Sequence, residues 1–355
     1  MKTKLLIAII VLVLCVIGFS IYRSGQPKAK IGVAIPSTTV ARWKLDGENL
    51  RKNLEELNYQ PMVYYSDENV EVQIAQIKEM IASGCKCLVI APVDAYALND
   101  VMAQAKAKGI KVIAYDRLIM NTDALSCYVT FDNFRVGRLM AWHILNVLKP
   151  SPKGNNPRFM EIVSGDINDT NSILIYKGAM SVLKPYLDNG SIVIKSLQST
   201  LKETTTKNWS KDEAQARMTT LLTKFYAYNE PLNAVLVMND SMALGVMLAL
   251  EAKYRNRHYP VITGQDCDVA NVKCVRDGRQ GMTVFKDVRV LVRQTAMMVD
   301  AVMTGQPLPI NDTKSYNNGV MNVPSYLSRP ESVTRDNISK ILLDSGFYTE
   351  ADLKN

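Results

Sequence analysis

Short apolar segments of about five residues alternate along this chain with helical segments of about ten or more residues. The first series places strands at 30–35, 61–65, 87–91 and 110–115, and helices at 46–57, 70–83 and 97–108. A second series has helices at 134–148, 172–187, 212–225 and 242–251, and strands at 158–163, 191–196, 234–238 and 261–264. Such alternation is typical of βαβ units that build a parallel sheet covered by helices. We therefore expect an α/β fold with two doubly wound lobes in tandem.

Length and composition agree with two globular domains. The chain has 355 residues, and domains usually span roughly 100–200 residues. Its hydrophobic fraction of 47% and charged fraction of 21% are ordinary for globular proteins and argue against wholesale disorder. The net charge is +8, but Lys and Arg alternate with Asp and Glu instead of forming a basic stripe. This pattern favours a solvated mixed surface over a nucleic-acid site.

The N-terminal segment predicts export. Lys2 and Lys4 precede an apolar run at 5–21, the arrangement of an export signal, and the run approaches the length that spans a bilayer. Cys15 within the run resembles the lipidated cysteine of a lipoprotein signal, although Leu14 stands where a small residue is expected. Residues 1–29 are therefore predicted to be an export signal or membrane anchor. Lipidation at Cys15, an uncleaved anchor and ordinary cleavage all stay open.

The cysteines and histidines predict no disulfide framework and no metal or cofactor site. Five cysteines follow the signal, an odd number for a disulfide framework: Cys85, Cys87, Cys127, Cys267 and Cys274. Cys85 and Cys87 lie in a strand-like run whose alternation sends both to one face, which predicts a buried thiol pair. His143 and His258 are far apart in sequence and lack a CxxC partner, so zinc binding is not favoured.

Polar residues follow most of the predicted strands, where doubly wound sheets bind their ligands. Asn and Asp there often cap helices, which is the alternative reading for Asp132, Asn133 and Asp240. Long cations and indoles do not cap helices, so Arg42 and Trp209 favour a ligand site. Carboxylates, amides and guanidinium groups match sugar hydroxyls, and indole faces cover the apolar faces of a pyranose. The G-x-S-x-G, P-loop and G-x-G-x-x-G motifs are absent from the sequence, so nothing indicates catalysis.

At these positions the sequence resembles the type I periplasmic sugar-binding proteins, in particular the xylose-binding and multiple-monosaccharide-binding group. The resemblance covers 30–352, and its motifs are ARW at 41–43, IAYDRLI at 113–119, TFDN at 130–133, DTN at 169–171, TGQD at 263–266, FKD at 285–287, NDTKSYNNGV at 311–320 and VPSYL at 323–327. It implies two lobes joined by three crossings near Asp132, Lys286 and Ile310. The N-terminal lobe would comprise 30–131 plus 287–310, and the C-terminal lobe 132–286 plus 311–355.

The same resemblance implies the sugar contacts. Carried over by motif, they are Arg42, Trp43, Asp94, Asp116, Arg117, Asp169, Asn171, Trp209, Asn239, Asp266 and Lys286. The sequence departs from the family pattern at 164–167, where relatives tend to have a Gly-Gly-Ser-Pro turn, and Thr170 replaces an Asn. These departures leave the identity of the sugar open, with a neutral pentose or hexose expected first and a sugar acid second.

The implied function is capture of a monosaccharide outside the cytoplasmic membrane and its delivery to the membrane subunits of an ABC sugar permease. An alternative is a sugar-sensing subunit that docks on a membrane receptor or chemoreceptor. A DNA-binding repressor would need a helix-turn-helix before residue 30, where the apolar run lies, so no nucleic-acid partner is expected. A glycosidase would need two carboxylates flanking a glycosidic bond, and no enzymatic activity is expected.

Overall fold

The computed structural model describes residues 28–151, 154–227, 230–255 and 258–354, which form two α/β lobes. The strands are β1 (Lys30–Ile35), β2 (Gln60–Tyr65), β3 (Cys87–Ile90), β4 (Lys111–Tyr115), β5 (Leu125–Phe131), β6 (Arg158–Val163), β7 (Ile192–Val193), β8 (Ala234–Val237), β9 (Val261–Ile262), β10 (Thr283–Phe285), β11 (Ser325–Ser328) and β12 (Glu331–Val333). The α-helices are α1 (Ala41–Glu56), α2 (Val70–Ala82), α3 (Asn99–Ala107), α4 (Asn133–Leu148), α5 (Thr170–Asp188), α6 (Leu201–Thr204), α7 (Lys211–Phe225), α8 (Asp240–Lys253), α9 (Val269–Asp277) and α10 (Val288–Thr304). The predicted two-lobe α/β architecture is confirmed.

The first lobe is built on a six-stranded sheet in the order β11–β5–β4–β3–β1–β2, and all its strands run parallel. Its central strands are buried on both faces, so successive side chains enter two separate cores. Val33 packs into the core shared with α1 and α10, and Ala34 packs into the core shared with α2 and α3. This burial on both faces explains why these strands are nearly continuous apolar runs.

The second lobe has a parallel sheet in the order β7–β6–β8–β9. A bridge between Gln265 and Val284 extends it to β10, which pairs antiparallel with β12. Its main core contains buried side chains from the sheet and from α4, α5, α7 and α8. Residues from 331 onward pack in a smaller core beside Phe285.

Three crossings connect the lobes, and one of them differs from the prediction. The first is Asp132, between β5 and α4, and the second is Lys286, between β10 and α10. The third was expected near Ile310, with 311–355 in the second lobe. Instead, β11 pairs with β5, so the chain stays with the first sheet until Ser328 and crosses before β12. The assignment of 311–328 to the C-terminal lobe is therefore wrong, because these residues complete the edge of the first sheet.

The predicted signal or anchor falls almost entirely on residues 1–27, and Cys15 with it, outside the described residues. Among the residues that are described, no helix has the length and apolar character needed to cross a membrane. Cys85 and Cys87 are buried free thiols, but they enter different cores. The expectation of a shared face is wrong, because β3 begins only at Cys87 and Cys85 belongs to the turn before it.

Candidate functional site

Two aspartates at strand ends face each other across the cleft between the lobes. Asp116 follows β4 in the first lobe, and Asp266 follows the bridged residue Gln265 in the second. Their φ angles are 59° and 97°, in the left-handed region that residues other than glycine adopt rarely and at an energetic cost. Backbone strain of this kind concentrates at ligand-binding sites, where the surrounding contacts hold it in place.

Arg42, in the first turn of α1, joins these two carboxylates. Its guanidinium lies 2.8 Å from Asp46, 3.0 Å from Asp116 and 3.7 Å from Asp266. Burial alone would lower the pKa of Arg42, but the three carboxylates outweigh it and raise that pKa well above its usual value. Burial alone would raise the pKa of Asp116, but Arg42, Lys286 and nearby Arg117 together lower it. Arg42 and Asp116 are therefore both charged at neutral pH.

A second ion pair crosses the cleft beside the first. Arg117 follows Asp116, and its Nε lies 2.9 Å from Oδ2 of Asp169 in the other lobe. The indole Nε1 of Trp209 donates to the same Oδ2 at 3.2 Å, and Asp169 also accepts from the backbone N–H of Asn171 at the start of α5. Asp169 therefore caps α5 and also contacts Trp209 and, across the cleft, Arg117. Burial raises the pKa of Asp169, with Arg117 opposing the shift.

Lys286 brings a third cation into the cleft from the second crossing. Its Nζ lies 2.8 Å from Oδ1 of Asp266 and 5.5 Å from the ring centroid of Phe131. Lys286 lies between β10 and α10, so it reaches the cleft from the segment that connects the two lobes.

Two buried indoles complete the walls. The ring of Trp43 lies under the guanidinium groups of Arg42 and Arg117, at 4.4 and 5.2 Å from its centroid. Trp209 lies in the second lobe, and its ring passes directly over Gly165. A Cβ atom at Gly165 would come within 2.3 Å of that ring, so only glycine permits this approach.

These side chains line a small cavity between the lobes, and concave sites with a few converging polar groups are where small ligands usually bind. Its lining residues are Val40, Arg42, Trp43, Asp116, Arg117, Asp169, Asn171, Trp209, Asn239, Gln265, Asp266 and Lys286. The structure brings together every residue that the sequence predicted for the site except Asp94. Val40 and Gln265 were not predicted as contacts. Gln265 directly precedes Asp266, and this position in the sequence was sufficient to predict it as a contact.

Asp94 was predicted as a site residue, but it lies outside this cavity. Its Oδ1 accepts a hydrogen bond of 2.7 Å from the backbone N–H of Tyr96. It lines a separate surface pocket together with Asp67 and Asp166. After β3 the chain forms a loop outside the cavity, and the hydrogen bond to Tyr96 holds Asp94 in that loop.

The site has no arrangement suited to a metal ion. Within the described part of the chain, no group of three or more His, Cys, Asp and Glu side chains is placed to hold one. The cavity carboxylates Asp116, Asp169 and Asp266 each pair with a guanidinium or ammonium group of the protein itself. Their negative charges are therefore already compensated.

Comparison with known proteins gives the family. The family described as the periplasmic binding protein domain matches residues 31–307, most of the chain. The chain is a periplasmic binding protein. The multiple sugar-binding periplasmic protein SbpA of Azospirillum brasilense is 42% identical to it over 333 residues, covering 93% of this chain and 92% of the relative. The D-xylose-binding periplasmic protein of Escherichia coli (strain K12) is 35% identical over 326 residues, covering 92% and 93% respectively.

A solved structure has a similar fold over most of this periplasmic binding protein. An ABC transporter solute binding protein from Clostridium phytofermentans, crystallised with β-D-glucose, matches with a TM-score of 0.88 and 47% identity. The match covers 92% of this chain and 100% of that one. The predicted type I periplasmic binding protein fold and the predicted sugar-binding group are both confirmed.

Proposed function

We propose that this periplasmic binding protein captures an uncharged monosaccharide outside the cytoplasmic membrane and delivers it unchanged to an ABC sugar permease. The observation that carries the proposal is the cavity between the lobes, where cations, carboxylates and two indoles alternate. The names of the relatives, which refer to several sugars and to D-xylose, support a sugar ligand, as does the glucose in the related structure.

The alternation of charges suits the hydroxyl groups of a sugar. A hydroxyl donates one hydrogen bond and accepts others, a carboxylate only accepts, and a guanidinium only donates. Neighbouring hydroxyls can therefore donate to Asp116 or Asp266 and accept from Arg42 or Arg117. Each hydrogen bond to a charged group contributes roughly 1.5–3 kcal/mol. The apolar faces of a sugar ring are matched by Trp43 and Trp209.

The charge balance favours a neutral sugar over a sugar acid. The cavity is lined by the cations Arg42, Arg117 and Lys286 and by the carboxylates Asp116, Asp169 and Asp266. The positive and negative charges are equal in number, and every cation has a carboxylate partner within 3 Å. A sugar carboxylate would add a buried negative charge with no free cation to receive it, and burying an unpaired charge is strongly unfavourable.

The ionisation of Asp116 supports release of the sugar without chemistry. A glycosidase needs a protonated carboxylic acid on one side of the bond and a second carboxylate on the other. The lowered pKa of Asp116 keeps that group ionised at neutral pH, so it is a hydrogen-bond acceptor and not an acid.

We further propose that the N-terminal segment exports the body and anchors it to the outer face of the cytoplasmic membrane, with Cys15 as the lipid attachment point. The support is the charged start and apolar run of 1–21. Fractionation of cells that express wild type and Cys15→Ala tests this. Loss of the variant from membranes supports the lipid anchor, equal anchoring of both leaves only the uncleaved anchor, and a cytoplasmic wild type contradicts export.

Calorimetry of the full chain with pentoses, hexoses, hexuronates and amino acids tests the binding function. We expect at least one neutral pentose or hexose to bind, and its uronate to bind at least tenfold more weakly. Binding of amino acids alone, or breakdown of a glycoside, would contradict the proposal. Cross-linking of the sugar-loaded protein in cells then identifies its membrane partner. Capture of a chemoreceptor in place of permease subunits would assign the protein to sensing.

A further inference from the structure

The backbone carbonyl of Asp116 accepts hydrogen bonds from both lobes. Tyr128 Oη donates to it at 2.6 Å and Thr130 Oγ1 at 2.9 Å, both from β5 of the first lobe. Asn171 Nδ2 donates to it at 3.0 Å from the first turn of α5 in the second lobe. Asn171 also lines the cavity. The second lobe therefore meets the strained backbone of Asp116 through one side-chain amide.

The orientation of that amide is set by a residue outside the cavity. Asn171 Oδ1 accepts a short hydrogen bond of 2.8 Å from Asn133 Nδ2 and a longer one of 3.4 Å from Tyr128 Oη. This leaves Nδ2 of Asn171 facing the carbonyl and the carboxylate of Asp116, at 3.0 and 3.3 Å. In the flipped orientation, Oδ1 would face both of these oxygens and no hydrogen bond would form. Asn133 is almost fully buried and begins α4, directly after the first crossing.

We infer that Asn133 is a positioning residue for sugar binding, which orients Asn171 so that closure of the lobes completes the hydrogen bonds on Asp116. The inference rests on the proposed function, since it assigns a role in closure around the sugar. Asn133 does not line the cavity and acts through Asn171. Its position at the start of a helix suggested only a capping role, and the actual N-cap of α4 is Asp132.

Substituting Asn133 by Asp and by Ala separates positioning from packing. Asn133→Asp keeps the shape but presents an acceptor to Oδ1 of Asn171, which repels the required orientation. Because Asn133 is almost fully buried, the added carboxylate should lower the unfolding temperature of the sugar-free protein, so affinities are compared at a temperature at which both variants are folded. We expect sugar affinity to fall at least tenfold in Asn133→Asp and by less in Asn133→Ala. A packing role predicts the opposite order, because Asp preserves the volume and Ala does not.

Two further measurements complete the experiment. All affinities are measured by calorimetry on the full chain, with the sugar identified for wild type. Asn99→Asp is the matched control, because Asn99 is the first residue of α3 and lies outside the cavity, and its affinity should be unchanged. In the Asn171→Ala background, Asn133→Ala should cause no further loss, because the side chain through which it acts is gone.

The possible failures are distinguishable. A wild-type protein that binds no sugar overturns the proposed function and this inference with it. Wild-type binding together with unchanged affinity in both Asn133 variants, a milder effect of Asp than of Ala, or full additivity with Asn171→Ala overturns the positioning role alone.

Discussion

The guanidinium of Arg117 and the carboxylate of Asp169 form a buried ion pair of 2.9 Å that joins the two lobes across the cleft. Asp169 also holds the indole N–H of Trp209 and caps α5, so one side chain links the closed arrangement of the lobes to two walls of the cavity. Lobe closure and site geometry therefore depend on the same contacts.

Removing the charge of Asp169 should weaken closure. Asp169→Asn keeps an acceptor for the helix cap but leaves Arg117 with only Glu68, at 4.0 Å, as a carboxylate partner. We expect sugar affinity to fall about ten- to a hundredfold, since a hydrogen bond to a charged group contributes roughly 1.5–3 kcal/mol. X-ray scattering should show that a given sugar concentration produces less compaction. Asp188→Asn, which breaks the exposed pair with Lys184 at the other end of α5, should change neither quantity.

Asp266 should control the preference for neutral sugars. Asp266→Asn removes the carboxylate that lies 2.8 Å from Lys286 and 3.7 Å from Arg42, which leaves a spare positive charge in the cavity. Affinity for the neutral sugar should fall about tenfold or more, whereas affinity for its uronate should rise relative to it. The ratio of the two dissociation constants, measured by calorimetry, is the readout. A ratio equal to that of wild type would refute the charge-balance argument.

The close approach of Trp209 to Gly165 should be sensitive to a single methyl group. Gly165→Ala places a Cβ within 2.3 Å of the indole and 2.5 Å of Ser172 Oγ, so the ring must shift away from the cavity. We expect at least a tenfold loss of sugar affinity and a changed tryptophan fluorescence spectrum. Gly32→Ala, whose Cβ would meet the flexible ends of Met80 and Leu88 outside the cavity, should affect stability but leave affinity intact.

Asp268 should make stability depend on pH. Burial, and after it the charge of Asp266, raise the pKa of Asp268 to about 7, although Arg42 and Lys286 oppose the shift. Because this pKa is higher in the folded than in the unfolded chain, the folded state holds an extra proton between about pH 4 and 7. The free energy of unfolding should therefore fall as pH rises through this window.

Asp268→Asn should weaken that dependence, because the amide does not titrate, whereas burial still raises the pKa of neighbouring Asp240. Urea unfolding of both proteins at pH 5, 6, 7 and 8 tests this, with the variant gaining on wild type as pH rises. A difference between the two proteins that is the same at every pH would show that Asp268 does not titrate in this range.

The local pattern of the sequence predicted most of the strands and helices but not every neighbour in the sheets. Alternating apolar and amphipathic segments identify βαβ units because consecutive elements pack together. The pairing of Ser325 with Tyr128 joins segments that are distant in sequence, and nothing in 325–328 signals its partner. The third crossing was misplaced for this reason.

The site was predictable where a residue directly follows a strand, as Asp116 does, or follows a residue bridged to the sheet, as Asp266 does. Asp94 failed because it lies in a loop, where its carboxylate accepts from the backbone N–H of Tyr96 outside the cavity. The role of Asn133 was hidden because helix capping accounts for an Asn at that position, and its distance to Asn171 depends on how the lobes meet. Pairings across the cleft, such as Arg117 with Asp169, arise only from the tertiary structure.

The return of the chain to its first lobe also sets an order of assembly. The first core contains Leu291 of α10, and the first sheet ends with β11, so this lobe is incomplete until residue 328 of 355 has been synthesised. The central strands of the second lobe, β6 to β9, are all present by residue 262. Domains generally fold from the N-terminus as synthesis proceeds. In this protein the central sheet of the C-terminal lobe is fully synthesised first, and the N-terminal lobe can be completed only when nearly the whole chain has been synthesised.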